Sequence, residues 1–135
     1  MEPTVNFIRE GKGAPVILIY GLAGSIPDWA DLYPALVSAG YSVFALDLLG
    51  HGRSFRPKKL DQYPVDQVFE HLVSWIATHH LDQPLILVGH SLGGCLSIEY
   101  ASRYPEKVRA LVLADTLYTL DHPPLAAFPF QTALY

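Results

Sequence analysis

The sequence predicts an α/β protein: a mostly parallel, twisted sheet with helices on both faces. Three observations carry this. Four short runs, Val16–Tyr20, Tyr41–Leu46, Leu85–Val88 and Val108–Ala114, are apolar nearly throughout rather than alternating. A strand that reads apolar on both faces is buried on both, as in a parallel sheet. The segments between these runs carry apolar residues at helical spacing. Strand, helix, strand, helix, strand, helix, strand then implies right-handed crossovers. At 135 residues the chain is long enough for one domain with one core.

Taken in order, Thr4 to Ile8 is a candidate edge strand, turned by Gly11 and Gly13. Val16–Tyr20 is the first buried strand. Residues 27–39 follow as a helix, with Trp29, Leu32, Tyr33, Leu36 and Val37 on one stripe. Pro27 suits its first turn, and Gly40 suits the position past its end. Tyr41–Leu46 is the second strand, ending at Asp47. A polar loop with Arg53, Arg56, Lys58 and Lys59 reads as a solvated segment. From Val65, apolar positions 65, 68, 69, 72, 73 and 76 define a one-sided helix, with His71, His79 and His80 placed on or after its solvated side. Leu85–Val88 is the third strand. Ser91–Arg103 is a helix stopped by Pro105, and Val108–Ala114 is the fourth strand. Residues 116–135 have no clear period. They hold three prolines, four aromatic residues and one charge, too apolar for a comfortable disordered tail.

Composition narrows the function. Half of the residues are hydrophobic and 16% are charged, yet no stretch nears the roughly 20 apolar residues of a spanning helix. The start, Met1-Glu2-Pro3-Thr4, lacks the basic and apolar blocks of a secretory signal. A net charge of −4 argues against nucleic acid or an anionic membrane as partner. The lone Cys95 excludes an internal disulfide and fits a reducing compartment. The expectation is a cytoplasmic protein, with Cys95 packed against the sheet.

Ser91 stands between the third strand and its helix, at the carboxyl edge of the sheet where ligands gather in such folds. Gly89 and Gly93 flank it at two residues each side, the G-x-S-x-G spacing of a nucleophile elbow. A sharp turn there thrusts the hydroxyl outward, and small residues let strand and helix pass closely. The helix start offers free N–H groups to a developing negative charge. Leu92 N–H is one candidate oxyanion donor. The second lies in the loop Tyr20–Ser25, at Gly21 and Leu22, with Leu22 N–H as the donor. Each such donor is worth about 10²–10³ in rate. The alternative role for Ser91 is a helix cap.

Four pieces in this order, Gly21–Ser25, Asp47–Ser54, Gly89–Gly94 and Tyr104-Pro105, resemble the N-terminal half of the α/β-hydrolase family over about residues 15–115. The resemblance implies a serine hydrolase acting on esters, thioesters or related acyl substrates, with no metal and no cofactor. A serine at the elbow argues against the dehalogenase and epoxide-hydrolase branches, which use aspartate there. Tyr20 departs from the family, which usually has histidine before Gly21. The family's catalytic histidine falls beyond the fourth strand and matches no residue here. The expected fold is therefore a truncated α/β-hydrolase lacking the C-terminal strands and lid. Residues 1–135 form a partial domain, and 116–135 are the start of a lid or a displaced tail.

A serine nucleophile needs a base oriented by a carboxylate. His90 adjoins Ser91 but points elsewhere across a sharp turn. His51 belongs to the Gly50-His51-Gly52 turn. His122 is the sole histidine after the acid position. Asp115, at the end of the fourth strand, is the candidate acid, or else a loop starter. Asp47 is assigned to fixing the turn at residues 50–52. Two readings compete: a serine hydrolase with a small ester-like substrate, and a non-catalytic binding or interaction module on the same scaffold. An incomplete sheet further predicts a homo-oligomer or strand-paired dimer.

Overall fold

The four apolar runs do form parallel strands. The computed structural model describes residues 4–22, 24–56, 58, 65–79, 81 and 83–116. Its elements are β1 (Phe7–Glu10), β2 (Pro15–Ile19), a 3₁₀ turn (Ile26–Trp29), α1 (Leu32–Ser38), β3 (Ser42–Leu46), α2 (Val65–Thr78), β4 (Leu85–His90), α3 (Leu92–Arg103), a 3₁₀ turn (Pro105–Lys107) and β5 (Val108–Ala114). The strands lie in the order β1-β3-β2-β4-β5. Neighbours pair in parallel except β1, which runs antiparallel to β3. Of the expected tail or lid segment, 116–135, all but Thr116 lies outside the described residues, as do His80, Lys59 and His122.

The period of two along β2 sorts its side chains between two cores. Ile17 and Ile19 face one side, with Phe44, Leu46, Leu85 and Leu87 of the neighbouring strands. There α2 lays down Val65, Val68, Phe69, Leu72, Trp75 and Ile76, and α3 adds Leu92, Cys95, Leu96 and Tyr100. Val16 and Leu18 face the other side with Val43, Ala45 and Val88, beneath Tyr33, Leu36 and Val37 of α1. Helices thus cover both faces. β2 is sealed between two strands and two helical layers, so Val16–Ile19 are at most 1% exposed.

Three elements differ from expectation. The helix predicted over 27–39 is split into a 3₁₀ turn and α1. Pro34 is the cause: a proline fits only the first turn of a helix, because its ring collides with the carbonyl four residues back. That places the start of α1 at Leu32. The helix ends as predicted at Gly40, whose φ is 90°, with Gly40 N–H bonded to Val37 O and Tyr41 N–H to Leu36 O. The edge strand predicted over 4–8 lies at Phe7–Glu10 and is exposed. His71 and His79 are half-buried rather than on a solvated side. Phe7 of β1 packs edge-on against Trp75 and His79 of α2, drawing that imidazole off the solvent face.

β5 stands apart from the other parallel strands. Leu111, Val112 and Leu113 are 37%, 51% and 44% exposed. It pairs with β4 on one side, and among the described residues no strand pairs with its other side.

Candidate active site

β4 runs through His90 and α3 begins at Leu92, leaving Ser91 alone at the corner. Its backbone sits at φ 51°, ψ −117°, a region that a residue with a Cβ rarely enters. Such a conformation persists where surrounding bonds over-determine it. Ser91 N–H donates to Ala114 O at 3.1 Å, tying the corner to the end of β5. Ser91 O accepts from Gly94 N–H at 3.0 Å and from Cys95 N–H at 3.2 Å, which starts the helix.

The glycines around Ser91 are there for contact, not for torsion. A Cβ on Gly93 would run into the carbonyl oxygen of Ile19. One on Gly89 would lie 2.5 Å from Gly93 O and Gly94 Cα. One on Gly94 would strike the Thr116 hydroxyl. The first turn of α3 therefore crosses the ends of β2, β4 and β5 at backbone distance. On the other side of the corner, a Cβ on Gly21 would lie 2.9 Å from Ser91 Cβ and 3.3 Å from His90 Nδ1. The loop after β2 runs directly beside Ser91, with Leu22 next in line. The first N–H groups of α3, starting with Leu92, have no acceptor inside the helix. Gly21 thus lies against Ser91, with Leu22 and Leu92 adjoining them in the chain.

Asp47, 2% exposed, braces this arrangement from beneath. Its carboxylate accepts from Ile26 N–H at 2.9 Å, Arg53 N–H at 2.9 Å and Asn6 Nδ2 at 2.7 Å. A Cβ on Gly52 would strike that carboxylate. The expected link to the turn at 50–52 is present. The link to Ile26, which anchors the far end of the loop at 21–25, and the Asn6 bond are additions. No sequence signal announced them beyond an acid at a strand end. Ser54 completes the brace, donating to Asp47 O and accepting from Asn6 N–H.

Tyr20 stands at the base of the same loop. Its ring lies against Trp29 with centroids 4.6 Å apart, and Gly24 packs on its face. Its buried hydroxyl has no hydrogen-bond partner among the described residues. Burial, with Asp28 and Asp47 nearby, pushes its ionisation far above the usual phenol range.

Asp115 follows β5 with φ 48° and is exposed. It adjoins the carbonyl that holds Ser91 N–H, and its carboxylate makes no bond to Ser91 or to a histidine among the described residues. His51 shares a hydrogen bond between Nδ1 and Leu49 O at 3.0 Å, and His79 one with Trp75 O. No histidine among the described residues is bonded to Ser91. Cys95 is buried against the sheet, and burial pushes its thiol upward. No group of three or more His, Cys, Asp or Glu side chains converges on a metal-sized space among the described residues.

The sequence profile of the alpha/beta hydrolase fold matches residues 14–135. The chain belongs to the α/β-hydrolase family. Among curated relatives of this chain, bifunctional epoxide hydrolase 2 of Sus scrofa is 32% identical over 119 residues, 88% of this chain and 21% of that protein. The 1-acylglycerol-3-phosphate O-acyltransferase ABHD5 of Rattus norvegicus is 38% identical over 114 residues, 83% of this chain and 32% of that protein. Among solved structures, a thioesterase domain from the curacin biosynthetic pathway superposes with a TM-score of 0.80 at 29% identity, covering 89% of this chain and 45% of that one. A serine hydrolase involved in carbazole degradation gives 0.76 at 32% identity, with 87% and 45% covered. The chain spans about a fifth to a third of these curated relatives and under half of these structures. Its sheet is the five-stranded part of an α/β-hydrolase fold.

Proposed function

We propose that this chain carries the nucleophile of a serine hydrolase acting on a small acyl ester or thioester. The observation that carries the reading is the corner at Ser91: φ 51°, glycines 89 and 93 at backbone contact, and the Gly21 loop alongside. In this reading Ser91 Oγ attacks the acyl carbonyl, and its proton passes to a base. The carbonyl oxygen, now negative, receives Leu92 N–H and Leu22 N–H. Collapse expels the alcohol or thiol and leaves Ser91 acylated. Water then attacks the ester, and Ser91 leaves with its proton restored. Asp115 is the acid that would orient the base. The histidine base is absent from the described residues around Ser91 and belongs to protein beyond them. A reducing, cytoplasmic setting completes the reading, from the lone Cys95. No helix among the described residues is long and apolar enough to cross a membrane.

The relatives divide between acyl chemistry and epoxide opening. Residue 91 favours the first. A serine oxygen that opened an epoxide would form an ether, which water does not cleave at neutral pH, so the enzyme would stall after one turnover. An acyl-serine is an ester and turns over.

A second reading, a binding module on the same scaffold, draws on one observation: no base is bonded to Ser91 among the described residues. A fluorophosphonate probe followed by peptide mass spectrometry separates the two. Labelling at Ser91, lost in Ser91→Ala, supports the hydrolase. An unlabelled Ser91 in a protein that a substrate-like ester nonetheless stabilises against heat supports the binding module and overturns the first reading.

A further inference from the structure

The cationic stretch after β3 has no role in the chemistry above. Four of the chain's nine Lys and Arg fall within residues 53–59, and no Asp or Glu stands between Asp47 and Asp61, although the chain as a whole carries −4. Arg53, Arg56 and Lys58 are exposed. The two ion pairs among the described residues both belong to Arg103, so these three cations are unpaired there. The Asp47 carboxylate beneath them is already occupied by three N–H donors, from Asn6, Ile26 and Arg53. We propose that the acyl substrate carries a phosphate group, which Arg53, Arg56 and Lys58 hold as Ser91 meets the acyl carbon; the proposal rests on the hydrolase reading of Ser91.

The cations project from a tied platform rather than a loose solvated turn. Gly50 N–H donates to Phe55 O at 2.9 Å, closing residues 50–55 on themselves, and within that ring Ser54 N–H donates to His51 O at 3.0 Å. Arg53 N–H is held by Asp47 Oδ2, and Phe55 N–H by Thr4 O. Arg56 folds back over the same turn, its Nη2 donating to Gly52 O at 2.8 Å. The backbone donors are thus occupied, whereas the Arg53 guanidinium and the Lys58 ammonium have no partner among the described residues. Charges fixed on such a platform lose little freedom when an anion arrives.

The spacing from Ser91 suits a single small molecule. Leu46 pairs with Ile19, and Ile19 with Gly89, so the ends of β3, β2 and β4 stand side by side at the carboxyl edge. Strands lie about 4.8 Å apart, which sets the end of β3 about 10 Å from the elbow. Asp47 bridges that interval, holding Arg53 N–H on one side and Ile26 N–H, at the far end of the loop at 21–25, on the other. An ester and a phosphate on one short compound span the same interval. The number of cations favours phosphate over carboxylate: one guanidinium fork matches a carboxylate, whereas a dianion takes both arginines and the lysine. Phe55, exposed between the arginines, adds apolar surface beside them.

The test titrates the whole 135-residue chain with octyl phosphate and with octanol in a calorimeter. Octyl phosphate should bind about tenfold tighter or more at low salt. The gap should narrow at high salt, because the cations are exposed. Arg53→Gln, Arg56→Gln and Lys58→Gln together should remove it with an unchanged circular dichroism spectrum. Octyl phosphate should also slow fluorophosphonate labelling of Ser91 in the unaltered chain and not in the triple variant. Equal affinity for the two probes, binding of neither, or a gap that survives the triple substitution overturns the phosphate site and leaves the Ser91 reading untouched. Binding of octyl phosphate that leaves the labelling rate unchanged sets the cations apart from Ser91 and overturns their role in the substrate. Binding confined to vesicles containing phosphatidic acid, with none of octyl phosphate, assigns the cations to a membrane surface and overturns it as well. If Ser91 resists the fluorophosphonate in a chain that binds octyl phosphate, the hydrolase reading fails, and with it the substrate role of a loop that still holds phosphate.

Discussion

Ser91 concentrates the residue-scale argument. Its left-handed backbone is held by bonds to Ala114, Gly94 and Cys95, and its neighbours are small because backbone crosses backbone there. Gly93→Ala should therefore cost about 3 kcal/mol in urea unfolding, since the added methyl meets the Ile19 carbonyl rather than a side chain that can swing away. Ser91→Ala removes only the hydroxyl. It should abolish probe labelling and ester turnover while moving stability by less than about 1 kcal/mol; turnover that survives would place the chemistry elsewhere. Asp47→Ala leaves the part-buried N–H groups of Ile26 and Arg53 without that acceptor. Such orphaned donors cost about 1–3 kcal/mol each, so a loss of about 3 kcal/mol is expected in the same urea assay. The Gly-x-Ser-x-Gly spacing and the turn at Asp47 were both legible in the sequence. The bond from Asp47 to Ile26 was not, because it joins loops 21 residues apart that only the sheet brings together.

Among the elements, strands were more legible than helix starts. An apolar run of five residues bounded by Gly, Pro or Asp has few alternatives, and β2, β3, β4 and β5 lie within two residues of expectation. The helix over 27–39 misled because its apolar stripe is real: Trp29, Leu36 and Val37 do reach the same core. Periodicity reports which face is buried, whereas Pro34 decides where hydrogen bonding can begin. The end of α2 shows the converse limit. His79 looked like a surface residue by spacing, but β1 folds over it and Phe7 lies against its ring at 4.7 Å. Phe7→Ala should loosen that end of α2. The amides of His79 and its preceding turn should exchange with deuterium at least tenfold faster, while those of β2 are unchanged.

For the whole molecule, the buried ionisable groups set a one-sided pH response. Burial raises Cys95 above its ordinary 9.0 and Tyr20, Tyr33 and Tyr100 above 10.0. The folded chain keeps these protons after the unfolded chain has released them. Stability is therefore undiminished by these groups below about pH 9 and falls as pH rises beyond it, by up to about 1.4 kcal/mol per pH unit for each group that titrates only when unfolded. Urea midpoints followed from pH 7 to 11 should decline on the alkaline side. Tyr20→Phe should flatten the decline; an unaltered slope would mean that this hydroxyl titrates alike in both states.

The bond from Ser91 to Ala114 joins the strained corner at the head of α3 to an exposed strand. A breathing motion that peels the end of β5 from β4 would release the serine's amide, and with it one restraint on an unfavourable torsion. The reactive posture is thereby hostage to the periphery. Whatever braces that outer margin would tune the readiness of the hydroxyl without ever touching it.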